Sequence, residues 1–242
     1  MRENTLTGSI LNIFLPPVCP LCETDVRAAS SPFCGACHGE ICSMLVKSPL
    51  CTVCGSTFAS GASKGHACGK CLAGPAHFAW ARSVFTYDGA VKEAIHKFKY
   101  SGQAILGPPL GRMLRHIPEP FPAAPDVMMP VPLHGGRLRQ RGFNQSLLLA
   151  REASGIFGVP LDYTNLRRTR FTEQQTNLSA EERKKNVAGA FGLERPGDVR
   201  GKRVALIDDV YTTGATIKEC AKVLKKAGAE VYSLTLARAE QM

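Results

Sequence analysis

The sequence predicts an α/β fold, a mostly parallel sheet with helices on both faces, preceded by a small cysteine-bearing module. Strand-like apolar runs alternate with helix-like segments from Trp80 onward, the pattern of a parallel sheet with crossover helices. Eight of the ten cysteines form four CxxC pairs ahead of that region. Between the two, Leu72-Ala-Gly-Pro-Ala-His77 has the composition of a linker. The expected division is a cysteine module over residues 1–75 and an α/β domain over 76–242.

Each element has its own signal. Trp80–Tyr87 is expected to be a strand, and Ala90–Lys99 and Leu106–His116 to be helical. A proline-rich bridge leads to an apolar strand at Val127–Val131, then to a basic, glycine-containing loop at His134–Gly142. Asn144 is the expected N-cap of a helix carrying Leu147, Leu148 and Ala150. A strand near Leu161–Leu166 precedes a polar segment, Arg167–Asn186, in which Ser179-Ala-Glu-Glu182 has capping-box spacing. Val187–Leu193 is expected to return as a strand and Arg203–Asp208 to be a buried one. Gly214–Ala227 reads as a helix stopped by Gly228, and Glu230–Ala237 as the last strand.

The chain has 242 residues, 44% of them apolar, enough for one good-sized domain and a small one. No apolar run approaches the roughly 20 residues needed to cross a bilayer. Ser9–Leu15 is apolar but short, interrupted by Asn12 and without a basic cluster, so it predicts a helix on the cysteine module rather than a targeting segment. The expected location is cytoplasmic.

Cys19/Cys22, Cys34/Cys37, Cys51/Cys54 and Cys68/Cys71 have the spacing of metal knuckles, and without a secretion signal they predict zinc thiolates rather than disulfides. Eleven residues separate the first two pairs and 13 the last two, which suits two sequential zinc ribbons. The central spacer is also 13, so crossed pairing stays open. Cys42 and Cys220 are expected to be buried thiols, and His38 and His66 to be bystanders. Eight thiolates and two Zn²⁺ change the formal charge of +10 to 10 − 8 + 4, or about +6. That still favours anionic partners, phosphorylated metabolites or nucleic acid alike.

Val204-Ala-Leu-Ile-Asp-Asp-Val-Tyr-Thr-Thr-Gly-Ala-Thr216 is the most informative stretch. An apolar strand ends in two carboxylates, Asp208 and Asp209. Then comes a loop of Thr212, Thr213, Gly214, Ala215 and Thr216 opening a helix. The loop amides, the helix start and the hydroxyls make an anion site, and Gly214 lets the backbone come close to a phosphate. Carboxylates facing an anion would repel it, so they fit hydroxyls of a sugar with Mg²⁺ nearby. Phosphate, diol and metal together describe phosphoribosyl pyrophosphate (PRPP). The Gly-Lys-Ser/Thr element of a Walker loop is absent.

This stretch resembles the PRPP motif of type I phosphoribosyltransferases. Pro130-Val-Pro-Leu-His134, then Arg137, Arg139 and Arg141-Gly-Phe-Asn-Gln145, resembles the ComF/GntX family. So does Arg168-Thr-Arg170 with Thr172, Gln175, Leu178, Arg183, Asn186 and Ala190-Phe191, behind four CxxC pairs. The resemblance implies a type I phosphoribosyltransferase fold behind a double zinc ribbon. It assigns the ribose hydroxyls and catalysis to Asp208 and Asp209, and the 5′-phosphate to Thr212–Thr216. Pyrophosphate would lie on Leu133, His134, Gly135, Arg137 and Arg141. Read as an extended loop, alternating Arg137, Arg139 and Arg141 point to one side.

Implied cofactors are two structural Zn and Mg with PRPP. Implied partners are PRPP or a related phosphorylated sugar, single-stranded DNA, DNA-uptake proteins and a second copy of the chain. Two functions follow. One is Mg-dependent phosphoribosyl transfer to an unidentified acceptor, linked to competence or use of imported DNA. The other is a non-catalytic adaptor for single-stranded DNA or protein on the same scaffold. Thr212 stands where purine-salvage relatives carry a carboxylate, which argues against that chemistry. Arg2 after Met1 argues against an N-terminal cysteine glutaminase. Arg167–Asn186 would be a substrate-closing loop, and Tyr87 with Lys92–Tyr100 part of an acceptor hood.

Overall fold

A computed structural model describes residues 17–26, 31–58, 65–100, 103–170 and 180–239. The apolar segment Ser9–Leu15 and residues 171–179 of the polar loop, with Thr172, Gln174, Gln175, Leu178 and the capping serine Ser179, lie outside them. No helix among the described residues is long and apolar enough to cross a membrane.

Four strands form one parallel sheet. They are β1 (Trp80–Thr86), β2 (Val127–Pro130), β5 (Arg203–Tyr211) and β6 (Glu230–Arg238), in the order β1-β6-β5-β2. A short antiparallel pair, β3 (Leu166–Arg168) and β4 (Phe191–Leu193), stands apart. Helices α1 (Gly35–Ser43) and α2 (Gly69–Leu72) belong to the cysteine module. Helices α3 (Gly89–Tyr100), α4 (Gly107–Arg112), α5 (Gly135–Arg141), α6 (Gln145–Phe157), α7 (Ala180–Val187) and α8 (Ala215–Lys226) follow.

Alternation along the central strand builds two cores. Ala205 and Ile207 of β5 join Phe98 of α3, Leu110 of α4 and Leu149 of α6 on one face. Val204 and Leu206 join Ile217, Ala221 and Leu224 of α8 on the other. All of these side chains are essentially inaccessible, as a sheet covered on both faces requires. Close helix contact is allowed by two glycines one turn apart. A Cβ on Gly107 would lie 2.9 Å from Leu148, and one on Gly111 2.7 Å from Glu152.

Most expected elements form, with instructive exceptions. The Leu106–His116 helix is α4 flanked by 3-10 turns at Ala104–Leu106 and Met113–His116. Leu161 makes only a bridge to Met128, and the expected strand begins at Leu166. The basic segment is not extended: Gly135–Arg141 is helix α5, N-capped by His134 Nδ1, which accepts from Gly136 N at 3.2 Å. Its arginines therefore divide between faces by helical spacing, and Arg139 is exposed.

The cysteines gather as Cys19, Cys22, Cys34, Cys37 and as Cys51, Cys54, Cys68, Cys71, so the pairing is sequential. Sulfurs stand 3.5 Å apart between Cys22 and Cys34, 3.7 Å between Cys54 and Cys68, and 3.9 Å between Cys51 and Cys71. A tetrahedron of thiolates about 2.3 Å from zinc needs edges of about 3.8 Å, so both sets fit the ion. Backbone N–H groups of Cys37 and Cys54 aim at Cys34 and Cys51 sulfurs, the outer-shell support such sites carry. His38 and His66 lie outside both sets. Cys220 is buried, but Cys42, expected to be buried, is half-exposed on α1 beside His38, at 3.8 Å.

The two clusters flank the edge strand. Cys19, Cys37 and Ile41 extend the first core, whereas Cys51 and Cys54 extend the second. Between them the chain lies along β1. Ala81 N donates to Val53 O at 2.7 Å, Val46 N to Val84 O at 2.9 Å, and Thr86 N to Met44 O at 2.9 Å. Metal analysis of the purified protein is expected to find close to two Zn per chain. Chelation is expected to unfold the module, and a chain that stays folded and metal-free after chelation would overturn the assignment.

Candidate functional site

A cavity of about 570 Å³ opens where β5 and β2 end. Carboxyl ends of parallel strands are the usual ligand crevice of such sheets. Its walls come from α3, the segment after β2, α5, the start of α6, β3 and the loop into α8.

Asp208 and Asp209 project from the end of β5. Asp208 Oδ1 accepts from Ser146 Oγ at 2.8 Å and from Asp209 N at 2.9 Å. Asp209 is paired with Lys99 Nζ at 2.8 Å, and Lys99 keeps only 18% of its side chain exposed. Burial, then the adjacent Asp209 charge, pushes the Asp208 carboxyl up to about 7, against the pull of Lys99, Ser146 and the Asp209 amide. Burial opposes the charge of Lys99, but the two aspartates outweigh it and its ammonium is held more firmly than usual. The acidic pair is thus balanced from within, by a lysine at the end of α3 and a serine at the start of α6.

Of the anion loop, Thr212, Gly214, Ala215 and Thr216 line the cavity. Thr213 turns to its own backbone, its hydroxyl accepting from Ala215 N at 3.3 Å. Gly214 N-caps α8 at φ +72, and a Cβ there would lie 2.2 Å from Tyr211 Oη, so only glycine fits. Tyr211 is buried, and burial, followed by the charge of Cys54, keeps its phenol neutral well above the ordinary range.

The basic wall is narrower than expected. Pro132, Leu133, Arg137 and Arg141 line the cavity, while His134, Gly135 and Arg139 do not. Arg137 and Arg141 are one helical turn apart on α5, which is why this pair faces inward together. Arg168 of β3 joins them, its guanidinium 5.2 Å from the centre of the Phe191 ring. Burial, then a neighbouring guanidinium, lowers the proton affinity of both Arg137 and Arg168. Such crowded cations gain from an anion between them.

Helix α3 supplies Tyr87's neighbour Lys99 and two rings, His96 and Tyr100, to the same cavity. Arg141 lies over the Tyr100 ring at 5.2 Å, and donates to Gln145 Oε1 at 2.8 Å. The Gln145 amide nitrogen is buried with no hydrogen-bond partner among the described residues. Lys92, also considered for the hood, does not line the cavity, and Lys97 instead pairs with Glu93 and donates to the carbonyl of Pro20. Arg170 bonds the carbonyls of Asn186 and Ala188, tying the two ends of the polar loop.

The motif reading missed Ser146 and Gln145 as site groups, and it gave Lys99 no definite place. Gln145 closes the Arg141–Gln145 motif without a role given to it, and nothing local marks Ser146 or Lys99, which reach the cavity only through the packing of α3 and α6 on the sheet.

Comparison with known proteins agrees with this architecture. Residues 10–72 match the double zinc ribbon domain and residues 144–241 the phosphoribosyl transferase domain. The chain is 32% identical over 225 residues to "DNA utilization protein YhgH" of Salmonella typhi, covering 89% of this chain and 93% of that protein. It is 32% identical over 220 residues to "Competence protein F" of Haemophilus influenzae, covering 88% and 92%. It is 33% identical over 160 residues to "Competence protein ComFC" of Bacillus subtilis, covering 65% and 63%. With its two tetracysteine clusters as structural zinc sites and its parallel-sheet domain behind them, the chain belongs to the ComF/GntX family of phosphoribosyltransferase-type proteins.

Proposed function

We propose that the cavity binds PRPP with Mg²⁺, and that the protein serves the use of imported DNA, a reading supported by relatives named for DNA utilization and for competence. The observation that carries the first part is the meeting, in one cavity, of an acidic pair, a glycine-hinged hydroxyl loop and three guanidinium groups. In this reading Asp208 and Asp209 accept from the ribose hydroxyls. Thr212, Thr213, Gly214, Ala215 and Thr216 form the 5′-phosphate loop, with Thr213 acting by fixing the turn. Leu133, Arg137 and Arg141 flank the pyrophosphate, with Arg168 beside them, and His134 and Gly135 shape the helix start that presents them.

The reaction open to such a site is transfer of ribose 5-phosphate from PRPP to an acceptor, with pyrophosphate leaving. Bound Mg²⁺ would supply charge neutralisation at the pyrophosphate. The chain's own part is positioning and electrostatics: guanidiniums steady the departing anion, and the aspartates hold the sugar in place. Tyr87, His96 and Tyr100 form the wall from which an acceptor would approach. The same site could be occupied without turnover, and following pyrophosphate release across nucleobases and amines tests transfer directly.

A second reading, a single-stranded DNA adaptor, is favoured by the exposed Arg139 beside the cavity, by a net charge still near +6 with zinc, and by the relatives' names.

Calorimetry with PRPP and Mg²⁺ should show Asp208→Asn and Asp209→Asn each weakening binding by about tenfold or more, the value of a charged hydrogen bond. Unchanged binding in both variants refutes the assignment. Because the bound state needs an ionised Asp208 whose proton leaves near pH 7, affinity should fall by up to about tenfold per pH unit on acidification below that point. In Asp208→Asn this dependence should disappear, and a flat wild-type profile between pH 5.5 and 8 would contradict the role. For the adaptor, single-stranded DNA affinity must weaken steadily as salt rises; salt-insensitive or undetectable binding removes that reading.

A further inference from the structure

The second ribbon and the anion loop touch through two side chains, Tyr211 just ahead of the loop and Arg238, which belongs to neither motif. Arg238 ends β6, is 5% exposed, and pairs in register with Tyr211, the last residue of β5. Its guanidinium donates to the carbonyl of Cys54 at 2.8 Å and to Ser56 Oγ at 2.9 Å. Both acceptors belong to the Cys51–Cys54 knuckle. The carbonyl of Ser56 accepts from Cys51 N at 2.8 Å, and its hydroxyl lies 3.2 Å from Cys54 Sγ. Gly55, at φ +67, permits the approach: a Cβ there would stand 2.6 Å from the Ala81 carbonyl and 3.4 Å from Arg238 Nη1. The same guanidinium lies over the Tyr211 ring, 5.2 Å from its centre. At its hydroxyl end that ring fills the space beside Gly214, the N-cap of α8.

We infer that Arg238 and Tyr211 are positioning residues, which make the shape of the 212–216 loop depend on zinc in the second ribbon. A buried guanidinium needs its acceptors, because losing them strands a charge in a poorly solvated place. The knuckle presents the Cys54 carbonyl and Ser56 hydroxyl in fixed positions only while Cys51 and Cys54 are held by metal. When they are released, Arg238 must leave its plane over Tyr211, and the ring loses what presses it toward Gly214. Gly214 sets the start of α8, so a shift there re-aims the amides of Ala215 and Thr216. The first cluster is placed differently, within the core on the opposite face of the sheet.

This inference rests on the loop being the anion site of the preceding section, but its first readout needs no ligand. Amide hydrogen exchange of residues 212–216 is to be measured in the full-length, zinc-loaded chain. The same measurement is made on Cys71→Ser, Arg238→Leu and the double variant. Exchange should rise about tenfold in each single variant, within the usual span of coupling between sites. The double variant should be no faster than either single, since both break the same link. Retained protection of residues 204–207 and 220–224 shows that β5 and the body of α8 are intact. If Arg238→Leu fails that check, Ser56→Ala removes one acceptor alone and should raise exchange about twofold to threefold. Loop exchange equal to wild type in Cys71→Ser and in the Arg238 or Ser56 variant overturns the inference, as do fully additive effects. Mg²⁺·PRPP affinity should fall in parallel. If wild type binds no PRPP while exchange still responds, the site assignment fails and the coupling stands.

Discussion

Two adjacent carboxylates at the end of a buried strand are an electrostatic liability, and much of the α/β domain is arranged to contain it. Asp208 and Asp209 sit where β5 leaves a core closed on both faces, so water alone cannot solvate them. Lys99 comes from the last turn of α3 and Ser146 from the first turn of α6. The two helices therefore end and begin at this point for a reason beyond apolar packing. Their apolar residues bury one face of the sheet, and their termini neutralise its charged end. The opposite wall reverses the sign, with Arg137, Arg141 and Arg168 crowded around the same space. A ligand carrying both hydroxyls and phosphates would satisfy both walls at once.

The sheet's outer strand poses a different problem. β1 is an edge, and its outward amides and carbonyls would invite pairing with another chain. Residues 44–53 answer them with backbone bonds, and the zinc clusters hold those residues in place from either side. Metal thus stands in for the apolar core that so short a segment cannot supply. Arg82, 4% exposed, adds a bond of 2.8 Å to Glu119 and lies over Trp80, fixing the same strand from the side of the proline-rich bridge.

What could be read from the sequence was what is local. The cysteine pairs, the Asp208–Thr216 stretch and the Asn144 cap each place their groups within a few residues, so spacing alone determines the geometry. Helix α5 was not legible in that way. Two glycines and alternating arginines look extended, yet His134 caps the turn and helical spacing then selects Arg137 and Arg141 while sending Arg139 to solvent. In the sequence Lys99 is only one residue of the Lys92–Tyr100 hood segment, and it is the packing of α3 against the sheet that brings it to Asp209. The beginning of β3 was misplaced for the same reason. Leu161 is apolar, but its partner Met128 offers a single bridge, and the true pairing awaits Phe191–Leu193.

Backbone pairing along β1 also governs where the chain can be divided. The linker at residues 72–77 suggests a cut that would release the α/β domain. Such a fragment would carry β1 with its outer hydrogen-bonding groups bare. It would also expose apolar ground on both sheet faces where Ile41 and Cys54 now lie. Its most accessible new partner would be another copy of itself, edge to edge. The two motifs thus share one strand edge and two apolar faces, and a chain shortened at the linker would carry the exposed edge and apolar patches that favour aggregation.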